Sequence, residues 1–337
     1  MTRARFHVLG IGNAIVDVIS RTEDDFLVRE GLVKGSMRLI DAAEAERLYE
    51  HMGPATEMSG GSAGNTIAGL AGLGAKAAYF GKVADDHLGK VFAHDIRAAG
   101  VHFETEPLLK IANDFAPTAR SMILVTPDGE RTMNTFLGAC THLTPADVEE
   151  SVVADSAIVY LEGYLWDPPA AKEAFRKAAA IAHAHGRKVA LTLSDSFCVD
   201  RWRGEFLELV RSGTVDVLLA NQAEVKALYE TADVDTAVAA LREDVALAAV
   251  TLSEEGSLVA TPEGVVRVGA APVSTVVDTT GAGDLYAAGF LYGLSHDFDH
   301  AAAAELGGLL AAEIIGHIGA RPQADLIDLA KQSGILL

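Results

Sequence analysis

A carboxylate placed directly after a run of small residues is the clearest chemical signal in this chain. The stretch Val276-Val277-Asp278-Thr279-Thr280-Gly281-Ala282-Gly283-Asp284 passes from an apolar segment through a glycine-rich turn into a helical pattern at 285–294. Small residues let the backbone N–H groups of a helix start approach an anion, and the helix dipole favours negative charge there. Such a cradle suits a phosphate. Asp284 would stand in the first turn beside it, where it can take a proton from an attacking hydroxyl. A carboxylate in that place can equally cap the helix, with the glycines serving only the turn. The chain has no Gly-x-x-x-x-Gly-Lys-Ser/Thr loop and no Gly-x-Gly-x-x-Gly after its first apolar run. A bound nucleotide would therefore meet backbone N–H groups, a divalent ion or single Arg and Lys residues.

The elements that must carry this site alternate. Short apolar runs at 6–10, 77–81, 157–161, 188–193, 215–220 and 246–251 alternate with helical patterns at 64–73, 87–99, 169–185, 200–210 and 222–230. That order predicts parallel strands joined by helical crossovers, a doubly wound α/β fold. Segments 15–20 with 36–40, and 120–125 with 131–136 across the turn Pro127-Asp128-Gly129-Glu130, read as extra antiparallel strands. A small sheet over one edge of the core is a natural lid, since phosphoryl transfer needs water kept out. A decorative hairpin is the plainer alternative. No repeat, low-complexity tract or linker divides the 337 residues, so a single domain over 1–337 is expected, with lid excursions at about 13–40 and 110–138.

Composition narrows the partners. The chain is 50% hydrophobic and 22% charged, enough to bury a large core. Its 27 Lys+Arg against 47 Asp+Glu give a formal charge of −20, which disfavours nucleic acid and anionic membranes. Cys140 and Cys198 form no paired motif, so no disulfide framework is expected and a reducing cytoplasm fits. The apolar segment 301–315 is interrupted by Glu305 and Glu313 and is too short to span a bilayer. The basic opening is followed by an apolar run broken by Gly10, Gly12, Asn13 and Asp17, which reads as a first strand and not a leader.

Three motifs in order carry a resemblance. The segment 278–284 resembles the C-terminal motif of the ribokinase-like (PfkB-type) carbohydrate and nucleoside kinases. Gly60-Gly61-Ser62-Ala63-Gly64-Asn65, leading into 81–89, is similar to the N-terminal one, and Asn221-Gln222-Ala223-Glu224 to the family's Asn-x-x-Glu. The resemblance implies a three-layer α/β/α domain with a mainly parallel sheet and a small β lid. It implies Asp284 as base, Gly281, Ala282 and Gly283 as anion hole, and ATP as co-substrate. Asn221 and Glu224 would hold Mg2+ through water, Glu224 being the metal residue, and a monovalent cation such as K+ is allowed. As residues alone, Asn221 and Glu224 could be a helix cap. Thr251 and Gly256 resemble the Thr-x-Gly-x-x-Gly stretch at the ATP phosphates, with Ser253 replacing its first glycine. Arg131 would reach a phosphate from the lid, or stand exposed on its hairpin.

Within the family, Gly12-Asn13-Ala14-Ile15-Val16-Asp17 resembles the adenosine-kinase branch, in which Asn13 and Asp17 touch the nucleoside. A carboxylate accepts two hydrogen bonds, so Asp17 suits a 2′,3′-diol or the matching pair on a free sugar. Gly60, Gly61 and Asn65 would close on the same sugar; Asn65 could also cap a helix. Segments 163–165 and 191–194 resemble that branch too, with Tyr164 stacking on a base or filling the core. Met37 departs from the branch near an expected polar base contact, and Thr280 replaces an Asn common in eukaryotic adenosine kinases. The expected activity is phosphorylation of the primary hydroxyl of an adenosine-like nucleoside, with a free-sugar kinase acting on ribose or fructose as the alternative, in a monomer or a lid-mediated homodimer.

Two rivals come from other classes. Gly60-Gly61-Ser62-Ala63-Gly64 matches the Gly-x-Ser-x-Gly elbow of serine hydrolases, but 51–58 makes a poor buried strand before it. A nucleotide-binding regulator without catalysis is the other, and the intact Asp284 speaks against it. His183 and His185 form an HxH in an Ala-rich helical pattern without acidic partners in sequence, which reads as surface.

Overall fold

A computed structural model describes residues 4–109 and 116–336. The chain opens with β1 (Phe6–Ile11), β2 (Ile15–Arg21), α1 (Asp24–Arg29), β3 (Met37–Leu39), α2 (Ala42–His51), β4 (Ala55–Gly60), α3 (Ser62–Gly72), β5 (Ala77–Phe80) and α4 (His87–Ala98). A hairpin of β6 (Ala119–Val125) and β7 (Arg131–Phe136) follows, then α5 (Glu150–Ala154), β8 (Ser156–Glu162), α6 (Pro169–Ala184), β9 (Lys188–Thr192) and α7 (Ser196–Arg211). The last part holds β10 (Val217–Asn221), α8 (Gln222–Leu228), α9 (Val234–Asp244), β11 (Leu247–Thr251), β12 (Ser257–Thr261), β13 (Gly264–Val268), α10 (Ala282–Ser295), α11 (His300–Ile314) and α12 (Leu326–Gln332).

The strands form an eight-stranded sheet ordered β13-β12-β11-β10-β9-β8-β1-β5 and a five-stranded sheet ordered β3-β7-β6-β2-β4. In the first, β5, β1, β8, β9, β10 and β11 run parallel, and β12 and β13 extend it antiparallel. Helices cover both faces, which is why these strands read as continuous apolar runs. One core holds Trp166, Phe175 and Phe206 with residues of α6, α7, α8 and α9; the other holds Tyr79, Phe92 and Phe290 with residues of α3, α4, α10 and α11. The expected three-layer doubly wound architecture is therefore what the chain forms.

The five-stranded sheet obeys the other rule. β2 alternates, with Val16, Val18 and Ser20 buried and Ile15, Asp17 and Ile19 partly exposed, as a strand covered on one face must. A third, small core of Phe26, Leu27, Leu32, Leu48, Met122 and Leu124 backs it. Pairing differs from the expectation at three strands. β6 and β7 make the predicted antiparallel hairpin, but β2 runs parallel to β6 and antiparallel to β4, and β3 runs parallel to β7. The predicted pairing of 15–20 with 36–40 fails because α1 fills their connection, and only a short turn forces neighbours into a hairpin. β4 lies where 51–58 looks unlike a buried strand. It belongs to the open sheet, and Ala55 and Thr56 are exposed. Residues 110–115, at the start of the second expected lid excursion, lie outside the described residues.

Candidate active site

Most of the residues singled out in sequence converge on one cleft of about 1220 Å3, where the open sheet faces the C-terminal ends of the parallel strands. Its lining includes Asn13, Asp17, Gly61, Asn65, Asn221, Glu224, Thr251, Gly256, Gly281, Ala282, Gly283 and Asp284. Gly60 and Arg131 stand behind the surface.

The helix start at α10 has the geometry its sequence predicts. Gly281 is the N-cap residue at φ 81°, and no side chain caps the helix. A Cβ on Gly281 would lie 2.9 Å from the Ala320 Cβ, so both conformation and space demand glycine. A Cβ on Gly283 would meet nothing within 4 Å, which leaves the first turn approachable from the cleft. Asp284, in that turn, does not cap its own helix. Its Oδ1 accepts from Ser62 Oγ at 2.6 Å and its Oδ2 from Asn65 Nδ2 at 3.0 Å, both on the first turn of α3. Burial raises its pKa from 3.8 to about 6, against the opposing pull of those two bonds and of the Arg321 charge.

Asp17 faces the same space from β2. Burial raises its pKa to about 6 as well, with Arg321 and Arg131 opposing and Asp284 adding to the rise. Among the described residues no protein donor bonds its carboxylate, so both oxygens remain available. Gly60 is held against it, since a Cβ there would lie 2.4 Å from Asp17 Oδ2, and at Gly61 (φ 83°) a Cβ would lie 2.2 Å from the Asn13 carbonyl oxygen. Asn65 keeps its Oδ1 buried and unpartnered beside Asp284.

The same neighbourhood contains groups that sequence reasoning missed. Glu162, at the end of β8, accepts from Asn13 N–H at 3.2 Å, Asn13 Nδ2 at 2.7 Å and Ala63 N–H at 2.8 Å. It thereby ties the β1–β2 junction to the start of α3, and burial raises its pKa to about 7. An acidic residue closing an apolar strand was its only sequence signal. Ser62, weighed as a hydrolase nucleophile, instead donates to Asp284, and the strand before it belongs to the open sheet, which removes the elbow geometry. Arg321 carried no signal at all.

At the far end of the cleft, Asn221 caps α8 through Oδ1, accepting from Ala223 and Glu224 N–H at 2.8 and 2.9 Å. Glu224 returns the contact, its oxygens accepting from Asn221 N–H at 3.0 Å and Nδ2 at 2.6 Å. Of the two readings made from sequence, the helix cap is the one the structure shows. The cap is real, and both side chains line the cleft. With these bonds made, the pair suits an ion held through water better than one bound directly. Burial raises the Glu224 pKa to about 7. Gly256 (φ 93°) closes the turn after β11, where a Cβ would meet the Val268 carbonyl oxygen at 2.2 Å. Ser253, in place of a glycine, adopts φ 56°, the left-handed backbone that glycine takes without strain.

Arg131 is neither exposed nor in the cleft lining. It is buried, and its Nη1 pairs with Asp278 Oδ2 at 3.0 Å, while Nε and Nη2 have no partner. Asp278 also accepts from Thr280 and Gly319 N–H, each at 3.0 Å, so this pair joins the β6–β7 hairpin to the glycine-rich loop before α10. Tyr164 lines the cleft, half-buried, its N–H bonded to Ser194 Oγ at 3.1 Å. His183 is bonded to Asp216 at 2.9 Å, and among the described residues no acid, His or Cys cluster forms a metal site. Cys140 and Cys198 are buried free thiols. No helix among the described residues is long and apolar enough to cross a membrane.

The chain is similar to known proteins. Residues 32–326 match the family model described as pfkB family carbohydrate kinase. The crystal structure of adenosine kinase from Sinorhizobium meliloti is 61% identical, with TM-score 0.91, covering 98% of this chain and 100% of that one. A probable sugar kinase from Rhizobium etli CFN 42 is 56% identical, with TM-score 0.92 and coverage of 99% and 100%. Among curated relatives, an ATP-dependent ribose-1-phosphate kinase from Halopiger xanaduensis is 32% identical over 84% of this chain and 91% of its own length.

Proposed function

Since the chain belongs to the pfkB family of carbohydrate kinases and is a phosphotransferase acting on a hydroxyl group, we propose that it transfers the γ-phosphoryl group of ATP to the primary hydroxyl of an adenosine-like nucleoside. The observation that carries the acceptor is the composition of one end of the cleft. There Asp17, with both oxygens free of protein donors, lies in the same lining as an apolar shelf of Met37, Leu39, Ile123, Met133 and Leu137. A free sugar would use the carboxylate and leave the shelf without a partner. A nucleoside offers a diol to one and a flat heterocycle to the other. Met37, where a polar base contact was expected, belongs to that shelf, so base recognition rests more on apolar contact than on hydrogen bonds. The 61% identity to an adenosine kinase supports the same choice.

On this reading Asn65, whose Oδ1 is unsatisfied, and Gly61 embrace the ribose, Gly60 backs them through its close packing on Asp17, and Asn13 is held in place by Glu162. The primary hydroxyl loses its proton to Asp284 as its oxygen bonds to phosphorus and the bond to ADP breaks. Ser62 and Asn65 orient the carboxylate for that transfer. Backbone N–H groups of Gly281, Ala282 and Gly283 offset the charge on the moving phosphoryl group. Thr251 and Gly256 flank the remaining phosphates and ribose of ATP, and Arg131, paired with Asp278 and with two unpartnered buried nitrogens, is the lid cation that serves the phosphates. Mg2+, held through water by Asn221 and Glu224, would neutralise triphosphate charge. The open sheet serves as lid.

A coupled assay of ATP consumption with adenosine, 2′-deoxyadenosine, ribose and fructose tests the acceptor. Adenosine is expected to be the efficient substrate. Efficient turnover of ribose or fructose with adenosine inert would replace this reading by the sugar-kinase one.

A further inference from the structure

The loop between α11 and α12 touches both glycine-rich motifs within three residues. Gly319 N–H donates to Asp278 at the entrance to the anion-hole loop, Ala320 packs against Gly281, and Arg321 reaches the other motif. The Arg321 guanidinium donates from Nε to the Ser59 carbonyl at 3.1 Å, from Nη2 to the same carbonyl and to Ser59 Oγ, each at 2.9 Å, and from Nη1 to the Gly64 carbonyl at 3.1 Å. Ser59 is fastened on its other side as well, its N–H donating to Asp95 of α4 at 3.0 Å. The fork therefore grips the last turn of chain before Gly60 and Gly61 and the first turn of α3 after them, the turn that presents Ser62 and Asn65 to Asp284.

We propose that Arg321 is a positioning residue for phosphoryl transfer, one that clamps β4 to α3 and so sets where Ser62 and Asn65 hold the Asp284 carboxylate. The inference rests on Asp284 as base. A planar guanidinium with all three nitrogens used in a fixed fork cannot be copied by an ammonium. The clamp is also charged. Arg321 faces Asp17, Asp95, Asp284 and the Tyr79 hydroxyl; Asp284 faces Arg321, Asp17, Glu162 and the phenols of Tyr160 and Tyr164; and Asp17 also faces Arg131. Its charge lowers the proton affinity of both Asp17 and Asp284, opposing the effect of burial.

Arg321→Lys, Arg321→Met and Asp284→Asn separate the possibilities through kcat, acceptor KM, the acid limb of the pH profile and thermal unfolding. Arg321→Lys should keep the charge and lose the fork, so kcat falls about 10- to 100-fold with the acid limb near its wild-type position. Arg321→Met should lower kcat similarly and move the acid limb up by about one pH unit or more. Wild-type kcat in folded Arg321→Lys overturns the clamp, and this variant decides alone if Arg321→Met does not fold. An unmoved acid limb in folded Arg321→Met overturns the electrostatic part. Should Asp284→Asn keep its kcat, the base reading itself fails, whatever the Arg321 variants do.

Discussion

Asp284 and Asp17 face one cleft from opposite kinds of scaffold. Asp284 stands on the first turn of a 14-residue helix packed against the covered sheet, with both oxygens bonded to α3. Asp17 stands mid-strand in a sheet with one face open and has no protein donor among the described residues. Burial raises the pKa of each carboxylate to about 6. The difference lies in what completes their hydrogen bonding. A carboxylate already oriented by two donors is prepared to take a proton from a fixed direction. One with two free oxygens is prepared to receive a ligand's hydroxyls.

Removing the oriented carboxylate should have the largest effect. Asp284→Asn is expected to lower kcat by at least about 10²-fold while ATP binding and the fold persist. A variant turning over near the wild-type rate would erase the contrast, because the two carboxylates would then share the role of ligand contact.

Asp17→Ala should act on recognition. One missing ribose hydroxyl leaves a carboxylate oxygen unpaired at a cost of about 1–3 kcal/mol, so 2′-deoxyadenosine should be roughly 5- to 150-fold poorer than adenosine in kcat/KM for the wild type. The variant should nearly lose that preference. Equal kcat/KM for the two nucleosides in the wild-type enzyme would remove the diol role of Asp17 while leaving Asp284 untouched.

Acid separates activity from stability. A base whose pKa is raised to about 6 is active only when ionised, and Asp17 is raised to about 6 as well, so kcat/KM should fall at least about tenfold per pH unit below that value. Stability has the opposite sign. Asp284 binds protons more tightly folded than unfolded, so its contribution to folding is complete below about pH 4 and is lost as pH rises through about 6. Asparagine cannot ionise, so the melting temperature of Asp284→Asn relative to wild type should be higher at pH 7.5 than at pH 5. A difference independent of pH would mean that the carboxylate titrates alike in both states.

The smallest effect belongs to the far end of the cleft. Glu224→Gln keeps most of the cap with Asn221 and removes a charge, so the Mg2+ concentration for half-maximal rate should rise a few-fold, with kcat at saturating metal changed less. Undiminished turnover in excess EDTA would exclude the ion from the proposed mechanism.

Much of this molecule is determined within short windows of sequence. The apolar runs predicted the parallel strands to within about two residues at each end, because burial on both faces leaves no alternation to misread. The turn at Gly281 and the capping pair Asn221–Glu224 were visible because backbone conformation and capping act over three or four residues. Only the tertiary structure decided the strand pairing of the open sheet, where a helix and not a tight turn separates β2 from β3. It also decided the burial of Arg131 against Asp278, the grip of Glu162 on Asn13 and Ala63, and the reach of Arg321 to Ser59 across 262 positions. Periodicity and propensity report on neighbours along the chain. A hydrogen bond between distant segments leaves no such local trace, because its geometry exists only once the sheets and helices have brought the two ends together.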